Sequence, residues 1–138
     1  MIALTDQPIE PRRDELLRGV TGSGAGAIVT FEGIVRAESR GQQVTHLFYE
    51  AFPEMALPEM QKIADEAQKR WGLQALVLVH RTGRVEVGET SVLIAVASGH
   101  RAEAFDACRF VIDSVKTSVP IWKREHYQDG AVWVEDHT

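Results

Sequence analysis

A chain of 138 residues, 44% of them hydrophobic, is long enough to bury a substantial core and is expected to form one domain over residues 1–138. Twenty acidic residues against fifteen Lys and Arg leave a net charge of −5, which argues against nucleic acid as a partner, so an anionic ligand would need a local basic cluster. The single cysteine excludes an internal disulfide, no basic-then-apolar leader opens the chain, and no apolar run approaches the roughly 20 residues that span a bilayer. A soluble cytoplasmic protein is expected.

Residues 11–20 read as a short helix, with Pro11 suited to a first helical position and Leu16 and Leu17 supplying its apolar side. The glycine-rich stretch 21–26 lacks the Lys-Ser/Thr ending of a phosphate loop and reads as a connector. Residues 27–36 alternate as a half-buried strand, with Ala27, Val29, Phe31 and Val35 on one face and Thr30, Glu32 and Arg36 on the other. Residues 37–43 are polar and glycine-containing, the pattern of a mobile loop, and 44–52 resume as a strand that could pair with the first in a hairpin.

From Pro53 the period changes. Met60, Ile63, Ala64, Ala67 and Trp71 keep helical spacing, and Gly72 is placed as a stop. Residues 73–82 and 90–98 read as strands buried on both faces, with Gly83 and Gly88 marking turns around a short 85–87 segment. A second long helix, 100–118, carries a stripe of Ala104, Phe105, Cys108, Val111, Ile112 and Val115; Cys108 within it suits packing, with no activating context for a nucleophile. Pro120 ends the helical run, and 121–127 with 131–135 read as a terminal hairpin. The pattern is that of an α+β domain with mostly antiparallel strands and two long helices.

The candidate chemistry is cationic. The five histidines are scattered, no Cys/His spacing suits a metal, and the dinucleotide, P-loop and nucleophile-elbow motifs are absent, so neither metal nor cofactor is expected. Lys116 borders the apolar stripe at the end of the second helix, and Lys123 follows Pro120 on a segment that can fold back towards it. Lys116 is either a lysine tuned by its surroundings for proton transfer or a solvated charge favoured by the helix dipole. Alternation puts Trp122 and Lys123 on opposite faces, packing the indole and presenting the amine, although an ordinary surface lysine fits as well. His100 and Arg101 either hold a phosphate at a helix start or merely open that helix, with Glu103 reaching back. Arg36 either reaches into the same pocket or is simply exposed.

Val29–Arg36, Leu47–Met55, His80–Gly83, Ser98–Phe105 and Lys116–Glu125 together, in this order and spacing, resemble the large, catalytic subunit of molybdopterin synthase over most of residues 26–135. The resemblance implies an α/β-hammerhead fold, a homodimer within a heterotetramer, and a small ubiquitin-like sulfur carrier whose C-terminal Gly-Gly thiocarboxylate enters a pocket. There its sulfur would pass to cyclic pyranopterin monophosphate, building the dithiolene of molybdopterin. Lys116 and Lys123 match the family's catalytic lysines; Arg36, His100 and Arg101 match its anionic substrate pocket, and Phe31 a pocket-lining aromatic. Family members often carry basic residues after the segment matching Trp133-Val134-Glu135, where this chain reads Asp136-His137-Thr138. A protonated His137 is the available substitute there. Two other classes are compatible with the residues alone: a non-catalytic dimeric module binding a phosphorylated metabolite and a ubiquitin-like partner, and a lysine-dependent enzyme acting alone on a phosphorylated carbonyl compound.

Overall fold

A computed structural model of the chain describes residues 1–128 and 130–134. Its elements, in order, are β1 (Ile2–Thr5), a single 3-10 turn (Glu10–Arg12), α1 (Arg13–Thr21), β2 (Ala27–Ile34), β3 (Glu38–Ser39), β4 (Gln42–Ala51), α2 (Pro53–Trp71), β5 (Ala75–Arg81), β6 (Gly83–Glu86), β7 (Thr90–Ser98), α3 (Arg101–Ser118), β8 (Ile121–Tyr127) and β9 (Gly130–Val134). This is the expected α+β arrangement, with antiparallel pairing throughout except where β1 runs parallel to β5.

The first sheet, in the order β1-β5-β7-β2, is covered on both faces. Leu78, Val92, Ile94 and Val96 point to the side on which α2 and α3 pack through Met60, Ile63, Ala104, Cys108 and Val111. Val77, Val79, Leu93, Ala95 and Ala97 point the other way, against Ile9, Leu16 and Val20. All nine residues of β7 are buried, which is why its middle, Val92 to Ala97, is continuously apolar instead of alternating. Each fully buried Val, Leu or Ile here contributes about 1.5–3 kcal/mol, so this sheet and its three helices form the stable body. Gly72 ends α2 in the left-handed region, its N–H donating to the Gln68 carbonyl at 2.8 Å, as the sequence predicts.

The second sheet, β3-β4-β8-β9 with β6 alongside β4, has one face inward and one exposed. Inward lie Leu47, Tyr49 and Val85, packed with Val35 and Val44. Outward lie Phe48, Trp122 and Trp133, between 41% and 51% exposed, with Phe52 beside Trp122 at a ring separation of 6.1 Å. No helix among the described residues is long and apolar enough to cross a membrane.

Four expectations are corrected. β2 pairs with β7 and β4 with β8 and β6, so the predicted hairpin of β2 with β4 does not form; β7, buried along its whole length, takes β2 as its edge partner instead. Residues 37–43 are a tight hairpin in place of a loose loop, because Arg40 and Gly41 both take positive φ (54° and 75°) and let β3 turn directly onto β4. Phe105 is 62% exposed and lies off the buried stripe of α3. The terminal hairpin forms, but Trp122 faces solvent and Lys123 the interior, the reverse of the predicted orientation, since the indole side of β8 is the outer face of the second sheet.

The start of β2 passes close to the loop before α3. A Cβ on Gly26 would stand 2.4 Å from the Gly99 carbonyl oxygen, a backbone atom that cannot rotate away. Gly26→Ala is expected to destabilise the fold by about 1–3 kcal/mol, read as a lower midpoint in urea unfolding with an unchanged slope.

Candidate functional site

Between the two sheets lies a cleft of about 290 Å³ lined by Phe31, Gly33, Ile34, Val35, Arg36, Ser39, Leu47, Tyr49, Ser91, Lys116, Lys123 and Glu125. Its construction follows from three local features. β2 breaks its register at Gly33/Ile34, and the chain then turns Val35 into the core of the second sheet, held by Val35 N–H to the Glu89 carbonyl at 3.0 Å and Gly88 N–H to the Val35 carbonyl at 2.9 Å. This bend carries Arg36 out of the first sheet to the cleft rim. Ser91 Oγ donates to the Gly33 carbonyl at 3.1 Å, and a Cβ at Gly33 would meet Val92 Cγ1 at 2.8 Å, so the glycine permits the bend to lie this close to β7.

Lys116 stands in the last turn of α3, where the carbonyl end of the helix favours a cation. The helix ends at Ser118, and Val119 and Pro120 lead at once into β8. Lys123, two residues from Ile121 on the inner face of β8, therefore returns to the same cleft as Lys116, directly across from Tyr49. Both lysine side chains are half-buried. Among the described lining residues, these two and Arg36 make three cations beside one carboxylate, that of Glu125, in a protein of net charge −5. The basic cluster demanded by the composition is thus here.

Phe31, Arg36, Lys116 and Lys123 all line this cleft. His100 and Arg101 do not: they are exposed at the start of α3, about 22 Å from Lys116 along the helix, and so lie outside the cleft of their own chain. The His100 side chain makes no capping hydrogen bond, and Glu103 Oε2 has no hydrogen-bond partner, so a reciprocal capping arrangement is not seen. His137 lies outside the described residues. No group of three or more His, Cys, Asp or Glu among the described residues is placed to hold a metal ion.

Sequence reasoning missed Ser39, Leu47, Tyr49, Ser91 and Glu125. Glu125 was within reach of it: two residues after Lys123, it shares that face of β8 by simple alternation. It is only 4% exposed and accepts a hydrogen bond from the Tyr127 hydroxyl at 2.8 Å. Tyr49 is buried, its ring edge-on to His80 at 5.0 Å, and His80 is fixed by a 2.7 Å hydrogen bond between Nδ1 and the Arg81 carbonyl. The segment His80–Gly83 thereby braces the cleft from behind.

Against known proteins, residues 4–118 match the model of the MoaE protein family. The chain belongs to that family. The matched segment carries Phe31, Arg36, His100, Arg101 and Lys116 and stops short of Lys123. Among relatives, the molybdopterin synthase catalytic subunit of Pyrococcus abyssi is 42% identical over 97% of this chain and 90% of its own length. Molybdopterin synthase catalytic subunit 1 of Mycobacterium tuberculosis is 43% identical over 96% of this chain and 89% of its own. The crystal structure of molybdopterin synthase from Staphylococcus aureus superposes with a TM-score of 0.82 at 36% identity, over 95% of this chain and 94% of that one. Both stretches that deliver the lysines thus fall within regions shared with these MoaE relatives.

Cys108 plays no part in the cleft. It is 3% exposed, and burial pushes its thiol up to about 11. Iodoacetamide at pH 8 should leave the native thiol unmodified for hours and label it within minutes in denaturant, as followed by intact mass.

Proposed function

We propose that this protein is the catalytic subunit of a molybdopterin synthase, a sulfurtransferase of molybdenum cofactor biosynthesis working in the cytoplasm. The observation that carries the reading is the convergence of Lys116 and Lys123 from separate elements on one cleft, in a chain of the MoaE family. The partner is a small ubiquitin-like carrier bearing a C-terminal Gly-Gly thiocarboxylate. The substrate is cyclic pyranopterin monophosphate.

The residues suit that chemistry. The thiocarboxylate enters as an anion and its sulfur bonds to a side-chain carbon of the pterin while a carbon–oxygen bond at that carbon breaks, the oxygen leaving as water or on the phosphate. A second water then adds to the acyl carbon, the acyl carbon–sulfur bond breaks, and the carrier tail departs as a carboxylate with the sulfur left on the pterin. Negative charge accumulates at the acyl end during this exchange, and ammonium groups already fixed beside it stabilise the charge without reorganising. Lys116, at the helix end, is assigned the principal catalytic role, moving a proton or steadying the acyl oxygen; Lys123 assists and holds the pterin. Arg36 at the rim is suited to bind a phosphate through two oxygens, and Phe31 offers a flat apolar wall to the pterin rings. No cofactor is called for.

At about 290 Å³ the cleft is at the small end for a pocket that must hold a pterin phosphate and a peptide tail. His100 and Arg101, exposed and distant from Lys116, are assigned to the site of a second copy, where a helix start bearing Arg suits the phosphate. A homodimer with a carrier on each subunit, a heterotetramer, follows from that assignment. The exposed aromatic face of the second sheet gives such an assembly apolar surface to cover. A non-catalytic module would have no use for two lysines converging on an inner cleft wall.

Reconstitution tests the reading: this protein, a thiocarboxylated carrier and the cyclic pterin are mixed and dithiolene product is measured. Lys116→Ala should lower turnover by about a thousandfold while dimer and carrier binding persist, the scale of losing a charge-stabilising group. Normal activity in that variant, or turnover without any carrier, would remove the assignment. Separately, Arg101→Ala should weaken precursor binding about tenfold or more and leave carrier affinity unchanged, as titration calorimetry would show. If Arg101 of one copy serves the other, mixing Arg101→Ala with Lys116→Ala protein should restore part of the activity.

A further inference from the structure

Arg81, the last residue of β5, is buried outside the cleft lining. Its Nη2 donates to the Arg84 carbonyl of β6 at 2.8 Å, while Nε and Nη1 are buried with no hydrogen-bond partner among the described residues. A guanidinium this deep is costly unless carboxylates stand near it, and two do. Glu89 brings Oε1 to 3.8 Å from Nη1, longer than a hydrogen bond but little screened where the Arg81 side chain is shut away from water. The other is Glu10 of the 3-10 turn. Burial raises its pKa, and hydrogen bonds, chiefly from the Thr90 N–H, together with the Arg81 charge bring it below the ordinary carboxylate value.

Both carboxylates grip the turn that leads from β6 into β7. Glu89 Oε1 accepts the Glu86 N–H at 2.8 Å, and Glu10 Oε1 accepts the Thr90 N–H. That turn holds the bend after β2 in its place: Val35 N–H donates to the Glu89 carbonyl at 3.0 Å, Gly88 N–H to the Val35 carbonyl at 2.9 Å, and Ser91 Oγ to the Gly33 carbonyl at 3.1 Å. Arg36 is the next residue along the chain and lines the cleft.

We propose that Arg81 is a positioning residue for Arg36: its charge holds Glu89 and Glu10, these fix residues 88–91, and residues 88–91 fix the bend from which Arg36 reaches the cleft rim. The inference rests on the assignment of Arg36 to the substrate phosphate and adds to it a residue that touches no substrate. The guanidinium fork suits this part, since Nη2 takes the β6 carbonyl while Nη1 faces Glu89. A lysine has one nitrogen and can serve only one of the two.

The test measures precursor affinity by titration calorimetry and steady-state kinetics in the reconstituted assay. Arg81→Lys, which keeps the charge and loses the fork, should weaken precursor binding about fivefold, the scale of one hydrogen bond, with kcat at saturation changed less than twofold. Glu89→Gln keeps the backbone carbonyl and an acceptor for the Glu86 N–H but loses the charge facing Arg81, and should weaken binding in the same direction. In an Arg36→Ala background, Arg81→Lys should make no further difference. Wild-type precursor affinity in Arg81→Lys, a loss of equal size in the Arg36→Ala background, or a fall in kcat with KM unchanged would each overturn the proposal. Should Arg81→Lys fail to fold at the assay temperature, Glu89→Gln decides, and wild-type affinity there overturns it too. Lys116→Ala and Arg36→Ala run in parallel. Full activity in Lys116→Ala sinks the functional reading, and wild-type affinity in Arg36→Ala sinks the phosphate assignment; if both variants are impaired while Arg81→Lys binds normally, only the positioning role is lost.

Discussion

The chain crosses between its two sheets at Gly33–Val35 and again at Val119–Pro120, and the cleft is the space those crossings bound. The first is fixed by a register break, a serine hydroxyl on the Gly33 carbonyl and two backbone hydrogen bonds to the turn before β7. The second is fixed by proline, which cannot continue α3 and sends the chain straight into β8. Were either crossing longer, Arg36 or Lys123 would be carried on a loop and its position averaged over many arrangements. Because both are short, cations from a strand end, a helix end and a second strand are held by rigid elements on one wall.

The division of labour between the sheets explains where function sits. The first sheet is covered by α1 on one side and by α2 and α3 on the other, and it reaches the cleft only through the end of β2 and the start of β7. The second sheet has a much smaller cluster behind it, built on Val35, Val44, Leu47, Tyr49 and Val85, and polar side chains reach its inner face beyond that cluster. An inner face this polar is stable only when its charges answer one another. Among the described residues lining the cleft, Glu125 is the one carboxylate set with Lys116, Lys123 and Arg36. The acidic whole and the basic cleft are therefore compatible, since a pocket with low-dielectric walls feels its own lining more than distant surface charge.

Much of the fold was legible because its signals are local. The α2 helix with its glycine stop, the unbroken apolar run of β7 and the break at Pro120 each follow from a few neighbouring residues. The failures all concern which surfaces meet. Residues 37–43 look loop-like because a two-residue turn leaves too few side chains to show a strand period. Phe105 fits the helical period of α3 and is still exposed, because the stripe of α3 turned to the core runs through Ala104, Ala107, Cys108, Val111 and Val115. Trp122 and Lys123 alternate as expected, but alternation says nothing about which face is inner.

By itself, then, the sequence determined the identity and spacing of the cations, the helix that carries Lys116 and the strand that carries Lys123, since propensity, period and proline act over a few residues. Only the tertiary structure decided that Phe31, Arg36, Lys116 and Lys123 share a cleft with Glu125 and Tyr49, and that His100 and Arg101 stand outside it. Those are relations between elements distant along the chain. They are set by how two sheets pack and cross, which no single segment encodes.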